Sequence, residues 1–141
     1  DTLGAAGNPV VKTPTLDRLA TEGVRFTHNC VTTSVCWSSR VTLYSGLYTA
    51  RHRTYKPKNF FVSWNETIYD LIHNNGYYVG HVGKWGVNHY NKQKIPFSVE
   101  DDGWHVREIG GRTWHVTEKN EADALRFLAT RPKHKPFFVN V

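Results

Sequence analysis

The segment Ser34-Val35-Cys36-Trp37-Ser38-Ser39-Arg40 holds the side chains best placed to do chemistry. Val41 and Leu43-Tyr44 suit a helix from Ser38 to Ser45, closed by Gly46. Cys36 then stands just before a helix start, at the positive end of its dipole, with free backbone N–H groups nearby. Arg40 follows one turn later and can turn back toward the same point. Such an arrangement gathers and neutralises an anion. Three readings of Cys36 stay open on these grounds: an anion site, a reactive thiol, or a buried cysteine, the commonest state of the residue. Lys84 stands in Gly83-Lys84-Trp85-Gly86, directly after the run Tyr77-Tyr-Val-Gly-His-Val82. Taken singly, Arg40 and Lys84 each read as ordinary surface side chains, and Gly83, Trp85 and Gly86 read as shaping a turn.

Other chemistry-bearing residues carry less. The eight histidines are dispersed and show no metal spacing such as His-Glu-x-x-His. Cys30 and Cys36 are too few for a disulfide framework. If the intervening chain turned back they could pair, which would block Cys36. Asn65-Glu66-Thr67 fits the N-glycosylation acceptor pattern, a frequent chance match.

The elements that must hold these residues alternate. Val10-Val11 is strand-like within a Gly-rich entry. Thr13-Pro14-Thr15 offers a cap and an early proline for a helix over 15–22, with Leu16, Leu19 and Ala20 at helical spacing and Gly23 as its stop. Val24-Arg25-Phe26 reads as a short strand, and 27–36 as an irregular approach. Residues 47–63 are basic, aromatic and aperiodic, hence loop. Asn65-Glu66-Thr67 opens a helix bearing Ile68, Leu71 and Ile72, stopped by Asn74-Asn75-Gly76. The strand Tyr77–Val82 follows, then a loop-like stretch over 87–117 broken by Gly103, Gly110 and Gly111. A helix from Glu118 to Thr130 and a strand after Pro136 complete the order. Alternation of this kind predicts an α/β layered fold with a largely parallel sheet, without repeats or a dividing linker.

Composition sets outer limits. The chain has 141 residues, 39% hydrophobic and 21% charged, as in an ordinary globular domain able to bury a core. No apolar run could span a membrane. A formal net charge of +6 favours anionic partners, with Arg51, Arg53, Lys56 and Lys58 grouped. No nucleic-acid motif accompanies that charge, so a solvated basic face is expected and no nucleic acid. The chain has no methionine, opens without a signal-like segment, and stops within an apolar run; both ends read as cut.

Cys36-Trp37-Ser38-Ser39-Arg40 followed by Val41-Thr-Leu-Tyr-Ser-Gly46 resembles the sulfatase hallmark, Cys-x-Pro-Ser-Arg before a helix ending in Thr-Gly or Ser-Gly. Gly7 to Thr27 resembles the family's approach to its site, Gly76 to Trp85 its second motif, and Lys135-Pro-Phe-Phe138 the strand leading to a catalytic histidine. The four matches fall in family order from about residue 3 onward. The resemblance implies an alkaline-phosphatase/sulfatase-like layered fold with a mostly parallel central sheet. It implies that 1–141 is a partial sulfatase catalytic domain, truncated at both ends and inactive alone.

By the same resemblance the activity is that of a sulfuric ester hydrolase on a sulfated small molecule or glycan. Cys36 would be oxidised to formylglycine by a formylglycine-generating enzyme and would also ligate a divalent metal, usually calcium. The hydrated aldehyde supplies the attacking hydroxyl, the metal offsets charge, Arg40 steadies the diol, and Lys84 binds a sulfate oxygen. A periplasmic, secreted or lysosomal location follows from the family alone. Two departures stand out. Ser38 replaces the usual proline, and Gly86 stands where many members carry a histidine, leaving His89 and His52 as candidate acids. The family's paired aspartates lie before Asp1, and its later metal pair beyond Val141. Two other readings compete: a phosphonate or phosphate ester hydrolase of the same superfamily, and a non-catalytic binder of sulfated glycans or other anions.

Overall fold

The computed structural model describes residues 2–56, 62–87, 95–101 and 104–141. They form two compact units, Asp1–Val31 and Thr32–Val141. In the first unit, α1 spans Pro14–Glu22, with proline at its first position as the sequence predicts. Thr13 precedes it but does not cap it. Its hydroxyl instead donates to Asp17 Oδ1 at 2.9 Å and accepts from Gly4 N, which ties the helix to the short 3₁₀ turn Gly4–Ala6. Residues 24–26 form no strand, and Val24 and Phe26 are among the most exposed apolar residues. A strand exists only through its partner's hydrogen bonds, and none runs beside this segment among the described residues. Val10-Val11 likewise stays irregular.

In the second unit, α2 runs over Cys36–Ser45 and α3 over Thr49–His52. A 3₁₀ turn at Trp64–Glu66 leads into α4, Ile68–Asn74, whose N-cap Thr67 accepts from Asp70 N. That buried cap also accounts for the threonine of the glycosylation-like triplet without any glycan. The strands β1 (Tyr78–Val82) and β2 (Phe97–Val99) follow, then β3 (Val106–Ile109), β4 (Arg112–His115), α5 (Val116–Thr130) and β5 (Phe137–Asn140). The sheet order is β2-β1-β5 with both pairings parallel, as the alternating elements predict. Hence β1 is central, and its register sets Tyr78 against Phe137 and His81 against Asn140.

Several predicted boundaries move. Residues 47–63 include α3, so the region is not all loop, and 87–117 contains three strands. Of these β2 is only three residues long, too short to show a period, and it exists because β1 offers it an edge. The other two form an antiparallel hairpin whose two-residue loop is Gly110-Gly111, at φ 61° and 75°. Both loop positions demand the left-handed region, so glycines read as breaks are in fact a hairpin signal.

The core of this unit collects Val41, Tyr44, Val62, Tyr69, Val79, Trp85, Val87 and Ile95. Tyr44 stacks on Trp85 with centroids 4.8 Å apart, and Tyr69 meets both edge-on at 5.3 and 5.2 Å. Aromatic packing of this kind pins α2, α4 and the segment after β1 to one another. On the other side of β1, Gly80 lets the fully buried Phe127 of α5 lie directly on the sheet. No helix among the described residues is long and apolar enough to cross a membrane.

Candidate active site

Cys36 is the first residue of α2 rather than a residue before it, and its side chain is exposed. The buried-cysteine reading therefore fails, and Cys30 and Cys36 both stand as free, exposed thiols. Val35 supplies no side-chain cap, and the first turn holds no acidic residue. The positive end of the dipole thus has neither a capping side chain nor a first-turn carboxylate to offset it. Cys36, Ser39 and Arg40 share one helical face at spacings of three and four. Together with Leu43 and Asn140 they line an open cleft of about 280 Å³.

Arg40 does not fold straight back onto Cys36. Its Nη1 donates to the backbone oxygen of Lys84 at 2.6 Å and lies 3.4 Å from Tyr44 Oη. A guanidinium has five N–H donors, so the group is anchored while donors remain for a ligand. Lys84 is exposed, one residue before the buried Trp85. The two cationic side chains converge at Gly86: a Cβ there would lie 3.0 Å from Arg40 Cδ and 3.2 Å from Lys84 Cε. Gly86 itself has φ 70°, which a side chain at that position would strain. Sequence alone gave this glycine a turn-shaping part. The structure adds that its bare Cα is what lets Arg40 and Lys84 approach each other.

His81, on β1, is 1% exposed. Its pKa falls to about 4, chiefly through burial and further through the positive charge of Arg40, while the backbone of Gly83 and Lys84 opposes the fall. That backbone favours the protonated ring, although Nε2 makes no well-formed hydrogen bond. Nδ1 lies 2.9 Å from Tyr69 Oη, and Asn140 Nδ2 lies 2.8 Å from the same oxygen. None of these three residues figured in the sequence reading of the site. A signal for Asn140 was present: it stands two residues after Phe138 on a period-2 strand, so it shares that residue's face.

His52, a candidate acid, does not line the cleft. It is buried, with Thr54 N donating to Nδ1 at 3.1 Å and Nε2 3.0 Å from Thr42 Oγ1. The first contact leaves the proton on Nε2, so Thr42 accepts it, and burial lowers the ring's pKa. His52 thus holds α3 on α2. The other candidate, His89, lies outside the described residues, as do Asp1, Lys58 and Gly103, while Arg51, Arg53 and Lys56 are exposed.

The donor set at the cleft suits an anion: an arginine, a helix start, a serine and an asparagine amide. It does not suit calcium, which takes six to eight oxygen ligands, carboxylates prominent among them. Among the described residues no three His, Cys, Asp or Glu side chains gather to hold a metal ion.

Comparison with known proteins settles the lineage. The family profile described as Sulfatase matches residues 1–141. The chain belongs to the sulfatase family. It is 27% identical to N-acetylglucosamine-6-O-sulfatase of Bacteroides thetaiotaomicron over 150 aligned positions, covering 96% of this chain and 26% of that protein. It is 38% identical to arylsulfatase H of Canis lupus familiaris, covering 56% of this chain and 16% of the relative. The solved structure of BT4656 in complex with its substrate D-glucosamine-2-N,6-O-disulfate superposes with a TM-score of 0.82. That match covers 98% of this chain and 30% of the other, at 22% identity, and carries the fold. The sulfatase chain described here thus spans about a quarter of the length of the first of these relatives. Its layered architecture with a parallel sheet is the alkaline-phosphatase-like fold that the sequence resemblance implies.

Proposed function

We propose that the protein is a sulfuric ester hydrolase acting on a sulfated carbohydrate, with Cys36 as the precursor of its nucleophile. One observation carries the reading. An exposed Cys36 opens α2, and Arg40 on the same face is bonded at 2.6 Å to the loop that brings Lys84 beside it. Arg40 and the helix start then line one small cleft, and Lys84 lies next to Arg40 across Gly86. A tetrahedral anion held there would take hydrogen bonds from the first-turn amides and charge-assisted ones from Arg40. Lys84 would neutralise an oxygen that gains charge as the ester bond breaks, the arrangement that lowers such barriers most. Asn140, on the cleft wall, would fix orientation without adding charge.

Oxidised to formylglycine, Cys36 would supply a hydrated aldehyde: one hydroxyl attacks sulfur as the ester S–O bond breaks and the alcohol leaves with a proton, and the other then loses its proton as the C–O bond to sulfate breaks and the aldehyde re-forms. The open position of Cys36 supports this, since a maturation enzyme can reach it. Any metal ligands besides Cys36 are not among the described residues, so no step is assigned to calcium. The relative named N-acetylglucosamine-6-O-sulfatase supports a carbohydrate, the match to arylsulfatase H supports an aryl sulfate, and the assay below decides between them.

Mass spectrometry of the tryptic peptide Phe26–Arg40 tests the nucleophile. In protein from its native source, an aldehyde at position 36 supports the hydrolase, and an intact thiol overturns the formylglycine reading. Incubating the intact protein with glucosamine 6-sulfate, an aryl sulfate and an aryl phosphate separates the substrate classes. Preference for the phosphate would move the reading to a phosphoester hydrolase, and binding without turnover to a glycan-binding protein.

A further inference from the structure

The parallel register of β1 and β5 puts His81 and Asn140 side by side on one face of the sheet. From α4, Tyr69 lies over both, itself fully buried. Its hydroxyl is 2.8 Å from Asn140 Nδ2 and 2.9 Å from His81 Nδ1. A phenol has one hydrogen to give. With Asn140 donating to the oxygen, the hydroxyl hydrogen is available to Nδ1 of a neutral His81, whose own ring proton then sits on Nε2. Burial and the nearby Arg40 keep the ring neutral, with a pKa of about 4, so the polarity of the chain holds at neutral pH.

Both ends of this chain touch the site. Asn140 lines the cleft with Cys36 and Arg40. The His81 ring packs edge-on against Trp85 at 5.1 Å, beside the residue whose carbonyl anchors Arg40. Tyr69 and His81 are polar groups buried in an aromatic core, with Asn140 half-buried beside them; their desolvation is a cost an apolar pair would avoid, and in return they define one arrangement. We propose that Asn140, Tyr69 and His81 are positioning residues, a hydrogen-bonded chain running from the core to the cleft that sets the cleft wall and the Lys84 loop, and through it Arg40, in the geometry that receives the sulfate group. The proposal rests on the reading of the Cys36 cleft as a sulfate-ester site.

The test uses the intact, matured protein that carries this chain. Tyr69→Phe removes only the oxygen at the joint. A net hydrogen bond of this kind is worth close to one decade in rate. Turnover of a chromogenic aryl sulfate should therefore fall about tenfold in kcat, with KM changed less than about twofold. His81→Leu should fall by a similar factor, and the double variant no further than the lower single one, because the residues act as a unit. His81→Asn, whose amide reaches the place of Nδ1, should recover most of the rate. Phe127→Leu, a core change away from the chain, controls for stability alone and should keep the parent kcat per folded molecule.

If the Tyr69 and His81 variants lower only the melting temperature and keep the parent kcat, the network is structural and the proposal is overturned. If the parent protein hydrolyses no sulfate ester, the functional reading has failed on its own terms. The inference is then read by calorimetric titration with inorganic sulfate. A Kd raised about tenfold by Tyr69→Phe supports it; an unchanged Kd, or no binding by the parent, overturns it.

Discussion

Replacing Gly80 by alanine tests how the sheet is held. A Cβ at that position would sit 2.6 and 2.7 Å from two ring carbons of Phe127 and 3.2 Å from Val139 Cγ2. Carbon atoms settle near 3.5–4.0 Å, so the overlap with the ring is roughly 1 Å. Phe127 has little freedom to yield: it is fully buried, with the rings of Tyr78, Phe97 and Phe137 centred 5.5, 5.3 and 5.7 Å away. Overpacking of this sort costs about 1–3 kcal/mol. Against it stands the gain from replacing a strand glycine, about 0.5–1 kcal/mol. The clash wins, and Gly80→Ala should lower stability by about 1–2 kcal/mol. Urea unfolding should show an earlier midpoint at an unchanged slope. Phe127→Leu costs stability alone, yet in the Gly80→Ala background it should cost at least about 1 kcal/mol less, since it removes the clash. A neutral or stabilising Gly80→Ala, or strict additivity in the double variant, would refute the close approach of α5 and β1.

Gly86→Ala should cost about 1 kcal/mol of backbone strain at φ 70°. It should also weaken inorganic sulfate binding severalfold by calorimetry, because Arg40 and Lys84 must part to admit the methyl; unchanged affinity counts against their convergence. His81 has a folded pKa of about 4, below its ordinary value of 6.5. Its contribution to stability is therefore complete above pH 6.5 and declines as pH falls toward 4, by roughly 3 kcal/mol at most. The difference in urea midpoint between parent and His81→Phe should shift over that window, and a constant difference would sink the assignment. Asp123 is 3% exposed and bonded to both Lys119 and Arg126. Asp123→Asn should cost about 1–3 kcal/mol in urea unfolding, since two cations lose their partner; an unmoved midpoint would contradict that pairing.

How much of this was legible beforehand varies by element. The helices α1, α2 and α5 and the strands β1 and β5 announce themselves through periodicity and their Pro or Gly boundaries, and their order dictates a parallel sheet. The segment 24–26 fails because alternation shows a face but not a partner. With β2 the difficulty reverses: three residues carry no period, and the neighbouring edge makes the strand. Cys36 and Arg40 were readable as a pair from their spacing on one turn, and Lys84 from its motif. The anchoring of Arg40 on the Lys84 carbonyl was not, because it joins residues 44 positions apart through a main-chain atom. Tyr69, His81 and Asn140 were missed for a related reason: nothing in a tyrosine, a histidine and an asparagine far apart in sequence shows that strand register will stack them.

The pairing of β1 with β5 also fixes an order of events during synthesis. The helix that opens with Cys36 packs on Tyr69 and Trp85, whereas the cleft wall also needs Asn140, which leaves the ribosome 104 residues after Cys36. At about 5–20 residues per second, Cys36 is out of the tunnel for roughly 5–20 s before its own cleft can close. Parallel pairing over such a separation is slow in itself, which lengthens the interval. Position 36 is therefore open to modification first on a nascent chain and only afterwards as part of a cleft.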